Sequence, residues 1–251
     1  MGVLDGKVAL ITGGGQGVGL GIATAFARAG ASIMLTGRDG DKLERAAASL
    51  DLAGGEVATL VANVAQRADA SRSVAATVER FGRLDCLVNN AQSTVHGVPL
   101  ADLDDDQIAL VMGSGLMGTI YHMQAAYPHL KERGGSVINF GSREGIHGGK
   151  GFGAYAATKE GIRGWSRVAA REWGADKIRV NVLCPAALSP AANDYLENNP
   201  EHAKAYLATI ALGYFGDPAG DIGPIATFLA SDDSRYLTGQ THNADGGQEM
   251  L

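Results

Sequence analysis

Several things are scarce in this chain, and each scarcity excludes a class. There are two cysteines among 251 residues, Cys86 and Cys184, both inside apolar runs. A disulfide-stapled scaffold and a thiolate zinc site are thereby excluded as the organising feature, and both residues are expected to be small buried hydrophobes. Seven prolines are too few for a collagen or a proline-rich linker. Basic residues are outnumbered, 21 Lys and Arg against 27 Asp and Glu for a net charge of −6. No basic patch offsets this, so neither a nucleic acid nor an anionic membrane is an expected partner. The apolar run at Val8–Ile11 is too short for a signal-peptide core. The longest uncharged stretch, Gln107–Leu130, carries Ser114, His122, Gln124 and Pro128 and is read as a buried helix, not a span. A cytoplasmic protein is expected.

What the chain does have is glycine: 36 residues, about twice the ordinary share of roughly 7%. Seventeen of them crowd into 13–21, 113–118 and 134–153. Around them, short β-branched runs alternate with segments of helical spacing. Strands are predicted at Val8–Ile11, Ser32–Thr36, Val57–Val61, Leu84–Val88, Ser136–Phe140, Ile178–Leu183 and Thr241–Asn243. Strand, helix, strand repeated in this way predicts a single α/β domain over 1–251, a Rossmann-type doubly wound parallel sheet of about seven strands with helices on both faces. The irregular segment 186–218 is expected to be a substrate lid.

The first glycine cluster directly follows a strand and opens a helix: Thr12-Gly13-Gly14-Gly15-Gln16-Gly17-Val18-Gly19. Glycines in that context permit a tight turn and let backbone N–H groups approach a pyrophosphate at a helix N-terminus. Gly13, Gly15, Gln16, Gly17, Val18 and Gly19 are therefore candidate dinucleotide contacts. At the end of the second strand, about 20 residues on, an NAD site commonly offers an acid to the ribose. This chain offers Gly37-Arg38. Arg38 can fork onto a 2′-phosphate, so NADP(H) is favoured over NAD(H), with Asp39 and Asp41 arguing the other way.

Tyr155 and Lys159 stand four apart and share a helix face. An ammonium beside a phenol is expected to lower the phenol's pKa, making Tyr155 a usable acid or base, while Ser142 is placed to donate a hydrogen bond to a substrate oxygen. With the glycine turn, these segments make the whole chain resemble the short-chain dehydrogenase/reductase family. The turn fits TGxxxGxG, Asn89-Asn90-Ala91 fits NNAG up to its last residue, Tyr155–Lys159 fits YxxxK, and Asp245-Gly246-Gly247 fits the C-terminal signature. The resemblance implies Ser142, Tyr155 and Lys159 as catalytic residues. It implies further cofactor contacts from Asn63, Val64, Asn90, Ala91, Tyr155, Lys159, Pro185, Ala186 and Leu188. It also implies a homotetramer or homodimer joined through helices at roughly 103–132 and 154–173, where Gly161, Gly164, Ala169 and Ala170 are small enough for close packing.

Three positions depart from the pattern: Gln92 and Ala186 stand where the family keeps glycines, and Gly115 stands where it has a catalytic asparagine. In the family that asparagine supports a water relaying protons to the lysine. Glycines at 113 and 115 in a helix cost about 1 kcal/mol each relative to alanine, which predicts a kink or a backbone approached closely. The backbone carbonyl of Gly115 is expected to hold the relay water in place of the lost side chain. Gln92, Glu144 and His147 are candidate substrate contacts. With Arg143, Lys150 and Phe152 also at the mouth, four of the five mouth residues between Ser142 and Tyr155 can carry charge, which favours a small polar carbonyl or alcohol over a steroid or a long acyl chain. Asp104-Asp105-Asp106 is read as a helix opening, and no catalytic metal is expected. Two alternatives stand beside the NADP(H) enzyme: an NAD(H)-dependent alcohol dehydrogenase of the same fold, and a cofactor-binding protein with little turnover.

Overall fold

The computed structural model describes residues 2–187 and 197–250. The strands β1 (Val8–Thr12), β2 (Ser32–Gly37), β3 (Val57–Val61), β4 (Cys86–Asn89), β5 (Gly135–Phe140), β6 (Ile178–Pro185) and β7 (Thr241–Ala244) form one sheet in the order β3-β2-β1-β4-β5-β6-β7. All neighbours are parallel. Side chains alternate between the faces with the period of two that a strand imposes. Ala9 and Ile11, with Ile33 and Leu35, pack on one face against Ile22 and Phe26 of α1 (Gly17–Arg28), and Leu10, Met34 and Leu87 face the other way. That second face is covered by α3 (Arg67–Phe81), α5 (Gly118–Leu130) and α7 (Gly153–Trp173). The doubly wound fold is therefore as expected, with its topological switch point between β1 and β4, where such sheets open a crevice at their carboxyl ends.

β4 begins two residues later than the sequence suggests. Asp85 still meets β1, its carboxylate accepting the Val8 N–H at 2.8 Å and its own N–H donating to Val8 O at 2.9 Å, and the paired register begins at Cys86. Cys86 and Cys184 are free and buried. Burial pushes their thiols up, to about 12 and about 11, which keeps them neutral. Asp104 caps α4 (Asp105–Met112) in a reciprocal box with Gln107, the role read for that acidic run. Among the described residues, no helix is long and apolar enough to cross a membrane.

Between α4 and α5 the glycines at 113 and 115 sit in a π-helical turn, Gly113–Met117. This wide turn is the form taken by the expected irregularity, and π turns of this kind recur at functional sites. Before it the helix packs against α7; after it, against α3. Of the four small residues read as a packing surface, Ala169 and Ala170 point into the core and Gly161 abuts Leu116, while Gly164 has nothing nearby.

Candidate active site

A groove of about 670 Å³ opens at the switch point, lined among others by Gly13, Gly15, Gln16, Gly17 and Val18. The turn that walls it is closed by its own hydrogen bonds. Gly13 and Gly14 both donate to the carbonyl of Thr36, at 2.7 and 3.2 Å. Gly13 and Gly17 adopt φ of +67° and +55°, a region that disfavours any side chain. Thr12 Oγ1 accepts the backbone N–H groups of Asn90 and Ala91 at 3.0 and 3.1 Å and donates to Val88 O. The Asn90 amide reaches back to Thr12 O at 2.9 Å. Asn90 thus ties the two sides of the crevice together, and Thr12 is a residue the sequence reading did not single out. Gly19 packs beneath the groove, where a Cβ would come within 2.4 Å of Gly13 O.

Gln16 leaves the first turn of α1 without a side-chain cap, so its backbone N–H groups face the groove, an arrangement suited to a phosphate. Arg38 is exposed at the rim. Lys42, also missed in the sequence, lines the same end and holds Gln16 Oε1 at 3.0 Å. The carboxylate of Asp39 accepts the Lys42 N–H at 3.0 Å and caps α2 (Gly40–Ser49). Asn63, Val64, Asn90 and Ala91 line the middle of the groove. Pro185 ends β6 and Ala186 follows it; Leu188 lies outside the described residues, as does part of the expected lid. The described remainder of that lid carries α8 (Pro200–Leu207).

Ser142, just beyond β5, and Tyr155 and Lys159, on α7, stand outside the lining of that groove. A buried chain of amides positions them: Asn89 Nδ2 donates to Asn139 Oδ1, and Asn139 Nδ2 donates to Ser166 Oγ, both at 2.8 Å, fastening α7 to the sheet. Gly141 lets β5 and β6 close up, since a Cβ there would meet Cys184 Sγ at 2.6 Å. Ser142 caps the short α6 (Arg143–His147), accepting the Glu144 N–H at 3.2 Å, and it lies close enough to Tyr155 to act on its acidity.

Here the expected electrostatics are corrected. The Lys159 ammonium donates to Phe140 O at 2.9 Å and lies 5.3 Å from the centre of the Tyr155 ring. Burial raises the Tyr155 phenol above its ordinary value, and the Ser142 hydrogen bond offsets only part of that. Lys159 is itself pushed down to about 8 by burial. Helical spacing put the two side chains on one face, but one donor of the ammonium goes to the Phe140 carbonyl, and burial keeps the phenol protonated.

The charged mouth is largely paired within itself. Arg143 contacts Glu144 at 3.4 Å and Glu249 at 3.3 Å, and His147 stands 3.5 Å from the same Glu249 carboxylate. Phe152 lies between His96 and Tyr155, its ring centre 6.0 Å from each. His96 and Glu249 carried no signal in the sequence that distinguished them from surface residues.

With this geometry in view, similarity to known proteins is informative. The chain matches the family model described as Enoyl-(Acyl carrier protein) reductase over residues 13–249. It is 45% identical to a 12α-hydroxysteroid dehydrogenase of Clostridium sp., with 98% of each chain covered. It is 35% identical to a 3-oxoacyl-(acyl-carrier-protein) reductase of Thermotoga maritima, covering 97% of this chain and 98% of that one. The chain belongs to the short-chain dehydrogenase/reductase family. Solved structures agree in shape: levodione reductase superposes with a TM-score of 0.92 at 32% identity, with 98% of each chain covered. A short-chain type dehydrogenase/reductase of Mycobacterium ulcerans gives 0.90 at 29% identity, covering 98% of this chain and 90% of that one. This short-chain dehydrogenase/reductase is accordingly an oxidoreductase acting on CH–OH or C=O groups, in a family that uses nicotinamide dinucleotides. The uncapped N-terminus of α1 and the glycine cradle before it fit the pyrophosphate of such a cofactor.

Proposed function

We propose that the protein transfers a hydride between NADP(H) and the carbonyl or alcohol carbon of a small organic substrate, with Tyr155 as the acid or base. The observation that carries this reading is the placing of the Tyr155 ring 5.3 Å from the buried Lys159 ammonium, itself held by Phe140 O, with Ser142 just beyond β5 beside them. When bound, the nicotinamide supplies or takes the hydride. The protein's own groups handle the oxygen and its proton. Ser142 donates a hydrogen bond to the substrate oxygen where charge develops. Tyr155, kept protonated by burial, gives its proton to that oxygen in reduction and recovers it in oxidation. Arg38 and Lys42 at one rim support a 2′-phosphate and hence NADP(H), and Asp39, the main argument for NAD(H), is engaged in capping α2.

The small polar substrate expected from the mouth rests in part on charges that here satisfy one another, Arg143 with Glu144 and Glu249. Beside them stand the exposed Lys150 and an aromatic wall of His96, Phe152 and Tyr155. Together with the likeness to a hydroxysteroid dehydrogenase, this favours a second reading, a flat alicyclic alcohol or ketone of hydroxysteroid type. Assembly into a dimer or tetramer is proposed through the outer face of α4 and α7, where Leu110, Trp165 and Val168 are exposed.

A panel of small polar ketones, cyclic ketones and steroid ketones, each with NADPH and with NADH, tests the reading. Turnover with NADPH is expected, and Tyr155→Phe is expected to lower it by about 10²- to 10⁴-fold while NADPH binding, followed by fluorescence, is retained. Equal rates for parent and variant would overturn it.

A further inference from the structure

The two departures at 92 and 115 are one exchange in space. A Cβ built at Gly115 would stand 2.9 Å from both Cδ and Nε2 of Gln92 and 2.4 Å from Thr158 Cγ2. The Gln92 carboxamide therefore occupies the volume that any side chain at 115 would need. Its placement is built in, because the next residue, Ser93, donates its N–H to Ser114 Oγ at 3.0 Å, and Ser114 immediately precedes Gly115. The carbonyl of Gly115, for its part, accepts from the Gly118 N–H within the π turn.

Both amide atoms of Gln92 are buried, and neither has a hydrogen-bond partner among the described residues; the same holds for Thr158 Oγ1. A buried amide beside the groove and a buried hydroxyl, both left unpaired, call for a ligand or an ordered water. The next residue after Thr158 is Lys159, whose three-donor ammonium makes one hydrogen bond among the described residues, to Phe140 O. Gln92 and Thr158 thus meet across Gly115, where the π turn, the loop after β4 and α7 come together.

We propose that Gln92 is a positioning residue for the reaction, its carboxamide and the Thr158 hydroxyl holding a water that connects Lys159 to solvent. This rests on the reading of Tyr155 given above. When Tyr155 has protonated the substrate oxygen, Lys159 returns a proton to the phenolate and is reprotonated by the water, which takes one from solvent. Only O–H and N–H bonds are exchanged, and no electrons move. A further consequence is that residues 92 and 115 cannot both carry a long side chain.

The test compares kcat, KM for NADPH, the pH profile of kcat and the melting temperature across parent, Gln92→Ala, Gly115→Asn and the double variant Gln92→Gly with Gly115→Asn, the last also with Thr158→Ser to clear the methyl group. Gln92→Ala is expected to lower kcat by about tenfold or more with KM within about threefold, and to shift the limb of the pH profile that Lys159 sets. Gly115→Asn alone is expected to lower both melting temperature and kcat, and the double variant to recover both to within about threefold in kcat, a non-additive coupling. Gln92→Ala with parental kcat and pH profile, or a kcat loss that only tracks melting temperature, would overturn the proposal. So would additive effects at 92 and 115. Tyr155→Phe separates the two levels: an inactive Tyr155→Phe beside a fully active Gln92→Ala removes the role of Gln92 alone, whereas a fully active Tyr155→Phe removes both readings.

Discussion

Where β1 turns into α1, the groove is made of backbone, and that backbone is closed on itself through Thr36, Thr12 and Asn90. Beside the groove and beyond it, where β4 and β5 end against α7, the site is made of side chains, and several are buried without partners or carry shifted acidities: Gln92, Thr158, Tyr155 and Lys159. The first region resembles a finished part of the fold. The second holds polar groups at a cost that folding alone does not explain, the mark of a site that trades stability for function. Damage to the first should therefore appear as lost stability, and damage to the second as lost activity.

Lys159→Met puts that contrast under the greatest strain. It is expected to abolish most turnover and yet to be more stable than the parent at neutral pH. The sign follows from the lowered value: Lys159 titrates at about 8 in the folded chain and near 10.4 when unfolded. Below pH 8 both states are charged and the parent bears the full cost of burying the ammonium. Between pH 8 and 10.4 the folded parent sheds that proton first, so its stability rises with pH. The advantage of the variant should shrink by about 3 kcal/mol across that window, read from denaturant melts of the cofactor-free protein. A pH-independent difference would mean that the ammonium is solvated.

Thr12→Val is the matching insult to the first region. It leaves the N–H groups of Asn90 and Ala91 without their acceptor and should cost about 1–3 kcal/mol of stability, with kcat of the surviving enzyme close to parental. A large kcat loss without destabilisation would erase the distinction between the two ends. The smallest effect is expected from Arg38→Ala, at the rim of the first region. It should weaken NADPH by about tenfold, the worth of one charge-assisted hydrogen bond, and leave NADH and the melting temperature untouched. Equal effects on both cofactors would assign Arg38 no part in choosing between them.

The same division governs how much could be read in advance. Strand spacing, the glycine turn and the Ser142, Tyr155 and Lys159 set are local in sequence, so periodicity and spacing carry them. Thr12, Lys42, Asn139 and Glu249 act through partners 26 to 106 residues away, and nothing in their immediate neighbours announces it. The Tyr155 acidity was misjudged for a related reason. A four-residue interval says that two side chains share a face, but not that the ammonium will prefer Phe140 O. Likewise Gln92 and Gly115 read as two unrelated departures until the fold set one against the other.

The π turn at Gly113–Met117 has one more implication. A π turn holds one more residue than an α turn, and each residue of a helix advances the direction of the side chains by about 100°. That added rotation lets one continuous helical rod address α7 with its first half and α3 with its second. The length of this segment is accordingly more constrained than its composition. Deleting any single residue from 113–117 would swing Met123, Ala126 and Leu130 out of the core, an injury that no choice of side chain within the turn could repair.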